Sequence, residues 1–134
     1  MKIKIKFKKL RPDAVIPSYA KLGDAALDLT AVDYETDEHG NHVYRTGIAM
    51  EMPPNFVGLM FPRSSVTKYN LVKSNSVGVF DSGFRGEIIA KFKRVGGEVI
   101  YQPGERVAQM LFMELPELEI EEVSELSDSE RGAG

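Results

Sequence analysis

Asn75-Ser76-Val77-Gly78-Val79-Phe80-Asp81-Ser82-Gly83-Phe84-Arg85-Gly86-Glu87-Ile88 is the stretch on which the reading of this chain turns. It predicts a β-hairpin. Val77, Val79 and Phe80 favour a pleated strand, Asp-Ser-Gly turns readily, and Glu87-Ile88 opens a second strand. Gly78 and Gly86 flank the tip, where the missing Cβ lets a flat ligand approach the backbone. Asp81 stands at the tip. A carboxylate fixed there can serve as general base toward a water, or it can simply be a turn residue. Both readings stand on the residues alone.

Working outward, strand signals dominate. Lys2 to Lys8 alternates, with Ile3, Ile5 and Phe7 on one face and lysines on the other, as in a charged edge strand. Further strands are predicted over Ala25–Val32, His42–Met52, Phe56–Phe61, Ser76–Phe80, Glu87–Arg94, Glu98–Tyr101 and Arg106–Glu114. Gly40-Asn41, Pro53-Pro54, Gly96-Gly97 and Pro103-Gly104 separate them. Only Ser64–Tyr69 hints at a turn or two of helix. Many short strands at close spacing predict an all-β sandwich, barrel or jelly roll. The expected division is a β domain over 1–123 and a mobile acidic tail over 124–134.

Composition narrows the chemistry. With 134 residues the chain is expected to form one domain. No cysteine is present, which removes thiol nucleophiles, thiolate metal sites and disulfides. No long apolar run or signal peptide is visible, so no membrane association and a cytoplasmic location are expected. Net charge is −3, and eight acids with no Lys or Arg fall in Glu114–Glu130. The body is thus mildly basic, suited to an anionic small molecule. It carries no basic stripe for nucleic acid.

Three more segments place polar residues where a plain β domain would not need them. In Gly23-Asp24-Ala25-Ala26-Leu27-Asp28-Leu29, Asp28 lies between leucines, and a buried carboxylate there needs a partner such as an arginine or a hydrated Mg²⁺. An outward-facing Asp is the plainer alternative. Phe61-Pro62-Arg63-Ser64-Ser65 offers a cation and two hydroxyls at a strand end, fit for phosphate or for a helix cap. Gln102-Pro103-Gly104-Glu105-Arg106-Val107-Ala108-Gln109 turns into a strand on which Arg106 and Gln109 take opposite faces by period two. His39 and His42 read as solvated hairpin residues, and Met50, Met52, Met60, Met110 and Met113 as core filler.

These four segments, in this order and spacing, resemble the motifs of the trimeric dUTP pyrophosphatase family from about Leu22 onward. Asn75-x-Val77-Gly78-x-x-Asp81-x-Gly83-aromatic-Arg85-Gly86 carries most of the likeness, and Arg131-Gly132-Ala133-Gly134 is similar to the opening of the family's glycine-rich tail motif. The resemblance implies a jelly-roll β-barrel and a homotrimer with active sites between subunits. It implies hydrolysis of dUTP to dUMP and pyrophosphate with Mg²⁺. Asp81 would activate water against the α-phosphorus. Arg63, Ser64, Ser65, Gln109 and, from the tail, Arg131 would serve the phosphates, and Asp28 would act near the metal through water. Asn75, Gly78, Val79, Phe80, Phe84 and Ile89 would receive uracil and deoxyribose. Phe84 replaces the family's usual tyrosine but keeps the ring that blocks a 2′-hydroxyl. The family's tail runs on to a phenylalanine that stacks on uracil. Ending at Gly134, the chain is expected to be trimmed, to bind dUTP and to turn it over poorly. The related dCTP deaminases carry a glutamate where this chain has Lys91 and an arginine where it has Lys68, which speaks against deamination. A non-catalytic trimeric module on the same scaffold is the rival from another class.

Overall fold

Alternation at the amino end sets the pattern: from Lys2 to Lys8 each lysine is exposed, and Ile3, Ile5 and Phe7 are partly buried. In the computed structural model, which describes residues 2–134, this segment pairs as β1 (Lys6–Lys9) with β5 (Ile48–Glu51) in a two-stranded sheet. The remaining strands are β2 (Leu27–Thr30), β3 (Asp33–Thr36), β4 (His42–Arg45), β6 (Phe56–Phe61), β7 (Leu71–Lys73), β8 (Gly78–Phe80), β9 (Ile89–Arg94) and β10 (Arg106–Glu114). They form two four-stranded antiparallel sheets, ordered β2-β10-β6-β8 and β3-β4-β9-β7. The fold is an all-β jelly roll. Among the described residues no helix is long and apolar enough to cross a membrane.

Both sheets turn their apolar face inward. Leu29, Met60, Ala108 and Met110 meet Tyr44, Ala90, Phe92 and Leu71 in one core. Each buried Leu, Met or Phe among them is worth roughly 1.5–3 kcal/mol before entropy is charged against it. Tyr44 is fully buried and stays satisfied because its hydroxyl donates to the Tyr101 carbonyl at 2.9 Å. Burial raises its phenol well above the ordinary range.

Five expectations need correction. His42–Met52 is two strands rather than one, because Gly47 sits at φ +68° and swings the chain out of one sheet into another. A Cβ there would lie 2.7 Å from Cγ of Arg11, so glycine is required twice over. Glu98–Tyr101 forms no strand. Val99 exchanges bonds with Asn70 alone, its amide donating to Oδ1 and its carbonyl accepting from the Asn70 amide. Asp33–Thr36 and Leu71–Lys73 are strands that polarity concealed. Met113 is half exposed, since β10 turns Met110 inward and Met113 to the other face. Last, the two arms of the 75–88 stretch do not pair with each other. β8 joins β6 at the edge of one sheet, and β9 lies between β4 and β7 in the other. Turn residues signal a reversal but not the partner strand.

Candidate active site

Asp28 anchors the first half of the site. It lies in the middle of β2 with its side chain 15% exposed, and it satisfies the demand of a sheltered carboxylate with two arginines. Arg63 Nε donates to Oδ1 at 3.0 Å and Arg106 Nη1 to Oδ2 at 3.2 Å. Arg63 follows β6 at the start of a short 3₁₀ turn, Ser64–Lys68. Arg106 reaches the same carboxylate because β10 bulges. Between Arg106 and Ala108 it advances two residues against one on β2, which overturns the expectation of opposite faces for Arg106 and Gln109. Gln109 stands opposite Asp28 and Phe61, and its Nε2 donates to the Pro62 carbonyl at 3.0 Å. Asp24, Asp28, Phe61, Arg63, Ser64 and Gln109 all line a cleft of about 380 Å³. Among the described residues Arg63 is the one cation on this lining, beside the donors of Ser64 and Gln109, while Arg106 lines the neighbouring hollow that Arg63 also reaches.

Ser65 does not share this cleft. Its hydroxyl accepts from Arg63 Nη1 at 3.2 Å, lies 3.2 Å from the Tyr101 hydroxyl, and lines a separate hollow with Tyr69 and Glu105. Tyr69 donates to Glu105 at 2.5 Å, and that bond pushes its phenol up to about 12. This group buttresses Arg63 from behind. Arg131 is also apart, with Nε donating to the Gly134 carbonyl in the exposed tail beyond β10.

The second half lies around β8. Asp81 follows the strand and is exposed, and its carbonyl accepts from the Phe84 amide at 3.1 Å to close the turn. Its carboxylate makes no hydrogen bond or ion pair among the described residues. Arg85 braces the turn from outside, donating to the Ser82 carbonyl at 2.8 Å and lying 3.6 Å from Glu51. Phe84 folds over Gly86, where a Cβ would stand 2.7 Å from the ring, and meets Phe80 edge-on at 5.5 Å between centroids. Gly78 is buried, and a Cβ there would press on Phe80 at 3.2 Å. Val79 is 67% exposed, while Ile89 opens β9 partly buried. Asn75 is exposed, with Oδ1 accepting from Lys73 Nζ at 2.7 Å.

The cleft at Asp28 is lined by no residue of the 75–89 segment, so the two groups of candidate residues do not share that cleft within one chain. No group of three His, Asp or Glu side chains suited to a metal occurs among the described residues. With both oxygens of Asp28 held by arginines, the residues present do not build a protein cage for Mg²⁺.

A family model described as dUTPase matches residues 13–134. The chain belongs to the dUTPase family. It is 36% identical over 133 residues to the deoxyuridine 5'-triphosphate nucleotidohydrolase of Clostridioides difficile, covering 97% of this chain and 93% of that protein. The nucleotidohydrolase of Thermobifida fusca is 35% identical over 136 residues, which is 98% of this chain and 76% of the relative. Among solved structures, a Staphylococcus bacteriophage 80alpha dUTPase mutant with dUpNHpp superposes at a TM-score of 0.82 with 25% identity, over 98% of this chain and 95% of that one. A mutant dUTPase from phage phi11 of S. aureus, whose structure reveals coordination of a structural Mg(II) ion, has a TM-score of 0.75 at 22% identity over 91% and 97%. This dUTPase is therefore an enzyme, a dUTP diphosphatase.

Lys73 escaped the sequence reading, which also left Arg106 out of the site by placing it on the face opposite Gln109. The bulge that delivers Arg106 leaves no mark on strand periodicity. Lys73 could have drawn attention as a lysine two residues before Asn75, but nothing in the residues alone showed it pointing inward.

Proposed function

We propose that this dUTPase cleaves dUTP to dUMP and pyrophosphate by in-line attack of a water on the α-phosphorus, with Asp81 as general base. The observation that carries the assignment is the contrast between two acids. Asp28 has both oxygens engaged by arginines, whereas Asp81 is held on a braced turn with its carboxylate unengaged. Only the second is free to accept a proton. General-base help contributes roughly 10²–10⁴-fold, so the charge that develops on the phosphates must be met by other groups. Arg63, Ser64 and Gln109 face the cleft that suits the triphosphate, with Asp28 aiming Arg63 and Ser65 supporting it from behind. Mg²⁺ would arrive with the triphosphate, since the chain offers no cage of its own.

Asn75 and the β8 backbone at Gly78, Val79 and Phe80 would take the uracil edge, while Ile89 and the Phe84 ring bound the base and the deoxyribose. The separation of the half-sites supports a homotrimer in which Asp81 of one subunit meets Arg63 of the next. Within each subunit, the domain expected over 1–123 is the barrel, with Met1 outside the described residues. Residues 124–134 form an arm that brings Arg131 to a neighbour's phosphates.

Asp81→Asn tests the central assignment. Binding of a non-hydrolysable dUTP analogue is expected to stay within about threefold of wild type, with pyrophosphate release down by about 10²-fold or more. Release at the wild-type rate would remove Asp81 as the base.

A further inference from the structure

Lys73 is the third residue of β7 and stands opposite Phe92 of β9. Cross-strand partners share a face. Phe92 is fully buried, so Lys73 is carried inward and is only 7% exposed. The lysines that flank Phe92 turn outward, Lys91 to Asp37 at 3.3 Å and Lys93 to the His39 carbonyl. Around Lys73 stand Phe92 across the ladder and Leu71 on its own strand, neither titratable, and no carboxylate lies in ion-pair range among the described residues. Burial alone holds its pKa down, to about 8. Sheltering an ammonium without a counter-charge is costly, and the one bond it makes is to Asn75 Oδ1 at 2.7 Å.

That bond decides which way the Asn75 amide points. An ammonium has donors only, so the atom facing it must be the carbonyl oxygen. Nδ2 is then the polar atom Asn75 has left for a ligand, and it has no partner among the described residues. The backbone is pinned as well. The Val77 amide donates to the Asn75 carbonyl at 2.6 Å across Ser76, whose φ is +61°, a γ-turn that persists only where its surroundings impose it. The Ser76 amide donates to the Lys73 carbonyl at 3.1 Å, and the Ser74 hydroxyl to Asn41 Oδ1 at 2.6 Å.

We propose that Lys73 is a positioning residue for base recognition: by occupying Asn75 Oδ1 it leaves the Nδ2 donor facing the base, which welcomes the O4 acceptor of uracil and rejects the N4 amino group of cytosine. The proposal rests on the reading of Asn75 as part of the uracil site. It explains why a lysine is tolerated at an inward position of a short strand. Without that ammonium the amide turns freely and can offer its oxygen to cytosine instead.

Lys73→Met keeps the length and apolar stem of the side chain and removes the donor. Affinity for α,β-imido-dUTP is expected to fall about 3–10-fold, the worth of one ordinary hydrogen bond. The dCTP analogue should lose nothing, so the dU-to-dC ratio drops by at least the same factor. For dUTP turnover the loss should appear in KM rather than kcat, since Lys73 acts through Asn75 and not on the reacting atoms. An unchanged ratio would overturn the proposal, because a merely structural lysine weakens both analogues alike. A second measurement uses the wild type and so does not depend on the variant folding. As pH rises from 6.5 to 8.5, short of the ionisation of uracil N3, the ammonium becomes an amine that can also accept. The dU-to-dC ratio should then decline through about pH 8, and a flat ratio contradicts the proposal. Failure of the wild type to prefer the dU analogue at any pH would instead sink the uracil-site reading, and this proposal with it.

Discussion

At the scale of single residues, one carboxylate organises the cleft proposed for the phosphates. Asp28 divides its two oxygens between Arg63, a charge-assisted bond in a sheltered position, and Arg106, whose side chain is half exposed and whose bond solvent screens. The sheltered bond is worth about 1.5–3 kcal/mol, or roughly 10–100-fold in what it positions. Asp28→Ala is therefore expected to raise KM for dUTP by about 10-fold or more, because Arg63, the guanidinium on the cleft, loses its aim. A steady-state titration checks it, and an unchanged KM would show that the arginines hold themselves. The sequence made the need for a partner legible: a carboxylate between Leu27 and Leu29 cannot be sheltered alone. It did not make the second partner legible. Arg106 is three residues from Gln109, and only the extra residue of the bulge brings both to the same face of the sheet. Lys73 was hidden for a related reason. An inward lysine inside Leu71–Lys73 looks like a break in a strand until the strand on its other side is known.

At the scale of elements, the 75–88 segment shows how far local signals reach. Its glycines and Asp-Ser-Gly were readable as a turn. Yet β8 takes β6 as its partner and β9 takes β4 and β7, choices made by sheets whose other members lie far along the chain. Where polarity alternated cleanly, as in Lys2–Lys8, the strand faces could be read directly. Asp33–Thr36 offers one inward aromatic among polar residues and could not. Within the segment, Gly86 has a specific task, since Phe84 lies where its Cβ would be, at 2.7 Å. Gly86→Ala should displace that ring while leaving the core intact. Thermal stability is expected to shift by about 1 kcal/mol or less, with discrimination of dUTP against UTP reduced about 10-fold. Retained discrimination would separate the Phe84 ring from sugar recognition.

At the scale of the whole molecule, the separation of the proposed phosphate cleft from the 75–89 segment calls for more than one copy. The stretch after β10 leaves Leu118 72%, Ile120 85% and Leu126 86% exposed, apolar surface that a neighbouring subunit can cover. Light scattering after size exclusion is expected to give a mass three times the 14.9 kDa of one chain. A monomer at every concentration would contradict the shared site. Assembly was not readable from periodicity, which describes one chain's faces, and was expected only from the family likeness. The central claim is that this jelly roll singles out dUTP and splits it at the α-phosphorus. The most direct test is pyrophosphate release from dUTP, dCTP, dTTP and UTP, each with Mg²⁺ and with EDTA. Release from dUTP alone, lost in EDTA, is the predicted result, whereas equal release from dCTP or UTP, or none from dUTP, would contradict the account.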